Sequence, residues 1–229
     1  MNNPSQLPFL YLEYMKGLAY LQSLDPRAEQ YIHHFITDFK GRHYIKEAYQ
    51  KLAWCDLLFH GGKRYSQIMH LCEQKGVADT DADKAALEEA RKGTQPDRDL
   101  LKARLLFDGG YYQMAMNILV SAQRRLSAHP YSRMVMQYQK GRIFEKKEDI
   151  FHAIQSYRKV LGIHKYPEDY RLCNASVHLG YIYQKMGNYT LARQYFEQAL
   201  ALEPDQYKTS LHAKATAGLN QLEHRPRNH

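Results

Sequence analysis

Small side chains recur along this chain at intervals that suit two helices packed face to face, and such a pattern leaves a polypeptide little choice of fold. The segment from Cys173 to Asp205 reads CNASVHLGYIYQKMGNYTLARQYFEQALALEPD. Leu179, Gly180 and Tyr183, followed by Ala192, Phe196 and Ala199, have the spacing of one helical face on each of two runs. Between the runs lies Met186-Gly187-Asn188-Tyr189, where Gly187 is free to take the left-handed conformation that ends a helix. Pro204 cannot continue the second helix, because it has no amide hydrogen and its ring clashes with the preceding turn. The result is a helical hairpin. Gly180 and Ala192 let its arms approach, while Tyr183 and Phe196 fill the space beside them.

The same frame recurs upstream. MVMQYQKGRIFEKKEDIFHAIQSYRKVL carries Gly141, Phe144, Ala153 and Tyr157, and LLKARLLFDGGYYQMAMNILVSA carries Ala103, Gly110, Tyr112, Ala115, Leu119 and Ala122, with Pro130 closing that unit. The clearest repeats therefore span about 96–129, 134–167 and 173–206. Two degenerate helix pairs precede them, at 8–40 with Gly17, Tyr20, Ala28 and Ile32, and at 44–75 around Gly61-Gly62 with its register open. Thr80 or Asp81 caps a short inserted helix at 80–92, and a last helix at 206–222 is suited to covering the end of a stack. Residues 1–223 thus read as one helical-repeat domain, followed by a disordered tail at 224–229.

This pattern resembles the tetratricopeptide repeat, a helix-turn-helix unit of about 34 residues. With Cys173 as the first position, Gly180 falls on the family's small position 8, Tyr183 on 11, Gly187 on 15, Tyr189 on 17, Ala192 on 20, Phe196 on 24, Ala199 on 27 and Pro204 on 32. Ser176 replaces the bulky residue usual at position 4. The resemblance implies an all-α fold, a right-handed superhelix of about five stacked antiparallel helix pairs plus a C-terminal capping helix. It also implies a non-catalytic scaffold that binds a protein or peptide in a concave groove lined by the first helix of each pair. Carried over by position, the lining would include Leu100, Arg104, Phe107 and Asp108, then Val135, Tyr138, Arg142, Glu145 and Lys146, then Asn174, Val177, Tyr181, Gln184 and Lys185. Aromatic and basic side chains together suit an extended acidic or amphipathic peptide. The Lys/Asn carboxylate clamp of one subclass is not matched, since Arg104, Arg142 and Tyr181 stand where it would need asparagine. The tyrosine-rich units and the insertion before LLKARLLFDGGYY resemble bacterial members of the superfamily.

Charge offers an alternative. The formal net charge is +8 with a pI of about 9.2, and the excess is concentrated between Arg124 and Lys165. Such a field attracts acidic partners or nucleic acid, so a nucleic-acid-associated helical protein using residues 124–165 is the second reading. The chain has 19 tyrosines, which would suit stacking on bases, but Tyr112, Tyr157, Tyr183 and Tyr189 fall on repeat positions and are expected in the core.

Motifs for chemistry are weak. Asp79, Asp81 and Asp83 alternate as in a calcium loop, but Lys84 and Ala90 stand where its glycine and bidentate glutamate belong. These carboxylates fit a helix N-terminus better. Cys55, His60, His70 and Cys72 lack zinc-ligand spacing, and His60-Gly61-Gly62-Lys63 lacks the remainder of a phosphate-binding loop. Cys55, Cys72 and Cys173 read as reduced core residues, and no cofactor is expected. Neither a secretory signal nor a membrane span is apparent, which favours the cytoplasm unless an upstream segment directs export. Phe9, Leu12, Met15 and their neighbours make the first helix apolar on nearly every side. That implies self-association or further repeats upstream.

Overall fold

The computed structural model of the protein describes residues 9–223. Among them are thirteen helices and no strand, and the chain divides between Ala115 and Met116 into two compact units. The helices pack in adjacent pairs, as the repeat pattern requires.

The first unit contains α1 (Leu10–Gln22), α2 (Ala28–Asp38), α3 (Ile45–Phe59), α4 (Tyr65–Gln74), α5 (Asp81–Lys92) and α6 (Arg98–Asp108). α1 pairs with α2 and α3 with α4, and the two hairpins stack through α2 and α3. Their core holds Tyr14 stacked on Phe35, with Ile32, Trp54 and Leu57 buried around them. α5 packs on α3 and α4, the place that the first helix of a third hairpin would take. Polar groups fasten it there. The fully buried Asp83 accepts from the amides of Tyr44 at 2.9 Å and Glu47 at 3.0 Å, capping α3 from a distant part of the chain. Thr80 caps α5 and donates its hydroxyl to the same carboxylate. Farther along α5, Glu89 accepts from the Trp54 indole at 2.7 Å, the Tyr65 hydroxyl at 2.8 Å and the Gln50 amide at 2.7 Å. α6 meets α1 and α3, placing Leu101 and Leu105 in the core that they share.

α7 (Tyr112–Ser121) crosses the division. The second unit continues with α8 (Gln123–Ser127), α9 (Pro130–Lys146), α10 (Ile150–Leu161), α11 (Tyr170–Lys185), α12 (Tyr189–Ala201) and α13 (Lys208–Glu223). Two hairpins, α9 with α10 and α11 with α12, stack through α10 and α11, and α13 closes the end on α11 and α12. Pro130 begins α9, where a missing amide hydrogen costs nothing.

Close approach explains the recurring small residues. A β-carbon on Gly141 would lie 2.7 Å from the Tyr157 ring, and one on Gly180 2.5 Å from the Phe196 ring. In the first unit, one on Gly17 would lie 2.8 Å from Ile32. Gly218 of α13 presses on Phe196 from another helix, so that ring is held between two glycines.

The turns repeat as well. In four of them the amide after a left-handed residue reaches back to a carbonyl of the preceding helix: Asp25 to Tyr20 at 2.9 Å, Tyr111 to Leu106 at 2.8 Å, Asp149 to Phe144 at 2.9 Å and Asn188 to Tyr183 at 2.9 Å. The left-handed residue is Gly110 or Gly187 in two cases, but Leu24 (φ +58°) and Glu148 (φ +60°) in the others.

Of the four tyrosines expected in the core, Tyr157 and Tyr183 are buried and Tyr112 is partly buried, whereas Tyr189 is 43% exposed. As the first residue of α12, Tyr189 lies over the turn at Gly187 and outside the helix crossing. α1 leaves Phe9, Leu12 and Met15 exposed.

Gly180→Ala and Gly218→Ala should each lower the unfolding free energy by about 1–3 kcal/mol in urea titrations, because a methyl group is forced into Phe196. Gly162→Ala, whose new β-carbon meets only the Arg158 and Lys159 carbonyls at an ordinary 3.7 Å, should be neutral or gain about 0.4–1 kcal/mol. Glu148→Gly should stabilise by up to about 1 kcal/mol by relieving a left-handed non-glycine residue, while Glu148→Ala should give no such gain.

Candidate functional site

In the second unit the first helices of the hairpins, α9 and α11, lie side by side, with α13 beyond α11. Side chains tie the three together. Asn174 donates to the Tyr138 hydroxyl at 2.6 Å, and the His178 imidazole sits 2.8 Å from Glu145. Tyr157 reaches the same carboxylate with its hydroxyl at 2.9 Å and stacks its ring on His178 at 5.0 Å. On the other side, Tyr181 donates to the Lys214 carbonyl at 2.7 Å and Gln184 to Gln221 at 3.1 Å.

Six of the lining residues assigned to this unit come together at three depths. Tyr138 and Val177 are buried and form a floor rather than an accessible contact. Arg142 and Tyr181 are half-buried, and the Arg142 guanidinium lies 5.9 Å from the centre of the Tyr138 ring. Lys146 and Lys185 are exposed at the rim. Burial works to raise the Glu145 carboxyl, but hydrogen bonds from His178 and Tyr157 and the nearby Lys185 ammonium hold it below its ordinary value. Glu145 therefore keeps its charge, binds His178 and offsets part of the charge of Lys185 at the rim.

Arg104 and Phe107 belong to the first unit. They sit on α6, which itself covers part of α1 and α3. The Arg104 guanidinium lies 5.3 Å from the Trp54 ring and 3.8 Å from Asp108, and Phe107 is buried with its ring 5.3 Å from Tyr112. The Lys51 ammonium stands 4.1 Å over the same indole.

Several organising residues escaped sequence reasoning. His178 and Glu89 carry no motif, and their partners lie far away in sequence. Arg171 is held by Asp169 at 2.8 Å and stacks on Tyr170 at 4.6 Å, in a ring cluster with Tyr131, Tyr166 and Tyr207. Only the density of tyrosines hinted at it.

Cys55, Cys72 and Cys173 are buried. Burial raises all three thiols, Cys72 to about 12 and Cys173 to about 11, so they are poor nucleophiles. Among the described residues no group of three or more His, Cys, Asp and Glu is placed to hold a metal ion, and no helix is long and apolar enough to cross a membrane.

A comparison with curated protein sequences returns no match. The sequence profile of the tetratricopeptide repeat matches residues 174–206, which cover α11 from Asn174 onward, all of α12 and the segment leading to α13. The chain thus carries one tetratricopeptide repeat at residues 174–206, within a structure of adjacent helix pairs that is consistent with a helical-repeat protein.

Proposed function

We propose that this chain is a non-catalytic protein-interaction scaffold and that the α9–α11 face of its second unit takes an acidic peptide segment. The observation that carries this reading is the arrangement of Arg142, Lys146 and Lys185 above a floor of Tyr138 and Val177, with Tyr181 beside Arg142 and both tyrosine hydroxyls already bonded. Such a face is ordered before binding, so little side-chain freedom is lost when a partner docks. Aromatic and guanidinium groups supply the contact surface, and the rim lysines supply the preference for acid. The tetratricopeptide repeat itself supports a scaffold role.

The basic residues between 124 and 165 do not support a nucleic-acid stripe as well. Lys140 turns inward onto Gln123, and Arg158 reaches Tyr195 of α12, away from the face that carries Arg142. Self-association is a separate part of the proposal. Phe9 at the start of α1 and Leu12 and Met15 on it are exposed, and Glu13 and Lys16 beside them pair with each other at 2.8 Å, so two copies related by a twofold axis would match apolar groups without burying an unpaired charge.

A peptide-display selection against the intact chain is expected to enrich acidic sequences containing aromatic or aliphatic anchors. Reversing charge together at Arg142, Lys146 and Lys185 to glutamate should weaken the selected peptides at least about tenfold, with the far-UV spectrum unchanged. Equal affinity for both proteins would refute this face. Gel shifts with single- and double-stranded probes that weaken steeply with salt would favour the nucleic-acid reading instead. By sedimentation velocity the wild-type chain should dimerise and Leu12→Glu/Met15→Glu should not; a wild-type monomer at high concentration rules out the α1 contact.

A further inference from the structure

His178 takes no part in the repeat pattern, yet it stands in the middle of the α9–α11 face. On α11 it belongs to the stripe of Asn174, His178, Tyr181 and Lys185, each about one helical turn from the next. Along α9 the matching stripe is Tyr138, Arg142 and Glu145. Two cross-bonds set the register, Asn174 to Tyr138 at one level and His178 to Glu145 at the other, and Arg142 stands between those levels.

The position of the imidazole proton follows from its partner. Nδ1 lies 2.8 Å from a Glu145 oxygen, and a carboxylate that keeps its charge only accepts, so Nδ1 carries hydrogen and donates it there. Nε2 is then the nitrogen left to take a second proton. The Tyr157 ring lies 5.0 Å away and nearly parallel, holding the imidazole in this orientation, and the side chain is 29% exposed, within reach of solvent and of a docked partner.

The charged and titratable groups around the ring come from three helices: Glu145 and Arg142 on α9, Tyr157 on α10 and Lys185 on α11 itself. α12 meets α11 through the Phe196 and Tyr195 rings, and α13 meets it through the Lys214 carbonyl and Gln221. Burial pushes the Tyr157 hydroxyl far up, and hydrogen bonds from His178 and Tyr157 hold the Glu145 carboxyl low against its own burial. Lysine and arginine side chains ordinarily titrate far above neutral pH. Imidazole is the side chain whose charge ordinarily changes between about pH 5 and 8.

We propose that His178 is the residue that sets how strongly this face prefers acid. With Nε2 protonated, the His178–Glu145 pair is neutral as a whole and no longer offsets the charge of Arg142, Lys146 and Lys185. The inference rests on the reading of the α9–α11 face as an acidic-peptide site. An anionic partner favours the charged imidazole, so affinity rises as pH falls through the range in which the ring gains its proton, and binding takes up protons there.

The probe is an end-blocked synthetic peptide of glutamate and phenylalanine, without histidine, titrated calorimetrically into the full-length chain at about pH 8 and about pH 6 in buffers of different ionisation enthalpy. Affinity should be about three- to tenfold higher at the lower pH, with net proton uptake, and the difference should shrink in high salt. His178→Gln keeps a donor for Glu145 but cannot take the second proton, so it should show one affinity at both pH values and no uptake. Wild-type affinity independent of pH, or the wild-type pH dependence retained in H178Q, would overturn the role of His178 and leave the face intact. A peptide bound equally well after charge reversal at Arg142, Lys146 and Lys185, or not bound at all, removes the face and this inference with it. Should H178Q lose its helical spectrum, imidazole NMR of the wild-type chain decides: the peptide must extend the charged form of His178 to higher pH, and the absence of that movement overturns the proposal.

Discussion

An aromatic ring lying against a residue without a side chain is the contact on which both hairpins of the second unit depend. Gly141 beneath Tyr157 and Gly180 beneath Phe196 bring two helix backbones closer than a methyl group would permit. The ring then buries its full surface against the gap. This contact sets the spacing of the pair, and the spacing sets where the first helix of the next pair can rest. Phe196 is shared with Gly218, so the same ring also seats the closing helix α13. Packing at this density tolerates neither a void nor an added methyl group, so side-chain identity is most restricted here.

The first unit solves the end-of-stack problem differently. α13 closes its unit through small residues against a ring, whereas α5 closes on α3 and α4 largely through carboxylates that accept hydrogen bonds from backbone and aromatic donors. Asp83 serves as a cap for α3 even though it lies 36–39 residues later in the chain than the amides it binds. A buried carboxylate with its lone pairs engaged gives orientation as well as attachment, and this one is engaged by two amides and a hydroxyl.

Much of this was legible in the sequence because it is local and periodic. Gly180, Ala192 and Phe196 sit at intervals set by helix geometry, and Gly187 marks its own turn. Repetition therefore identified the hairpins and their frame, and with them the face on which Arg142, Tyr181 and Lys185 lie. It could not give depth. Position in the repeat selects a face, but whether Tyr138 and Val177 stand open or form a floor depends on Asn174 and on the neighbouring helix. Nor could it place Asp83, Glu89 or His178, whose partners are distant and follow no period. The location of α6 was hidden for the same reason: its repeat pattern continues the frame, while the nonperiodic polar bonds of α5 decide which seat is left.

We propose that an acidic peptide docks on the α9–α11 face of the second unit. The most direct test is to map amide chemical shifts in the full-length chain as an acidic peptide from the display selection is titrated in. The account predicts that the largest changes fall on α9 and α11 around Arg142, Tyr181 and Lys185, with α10 and α12 little affected. Changes confined to α10, α12 or α13 would contradict it.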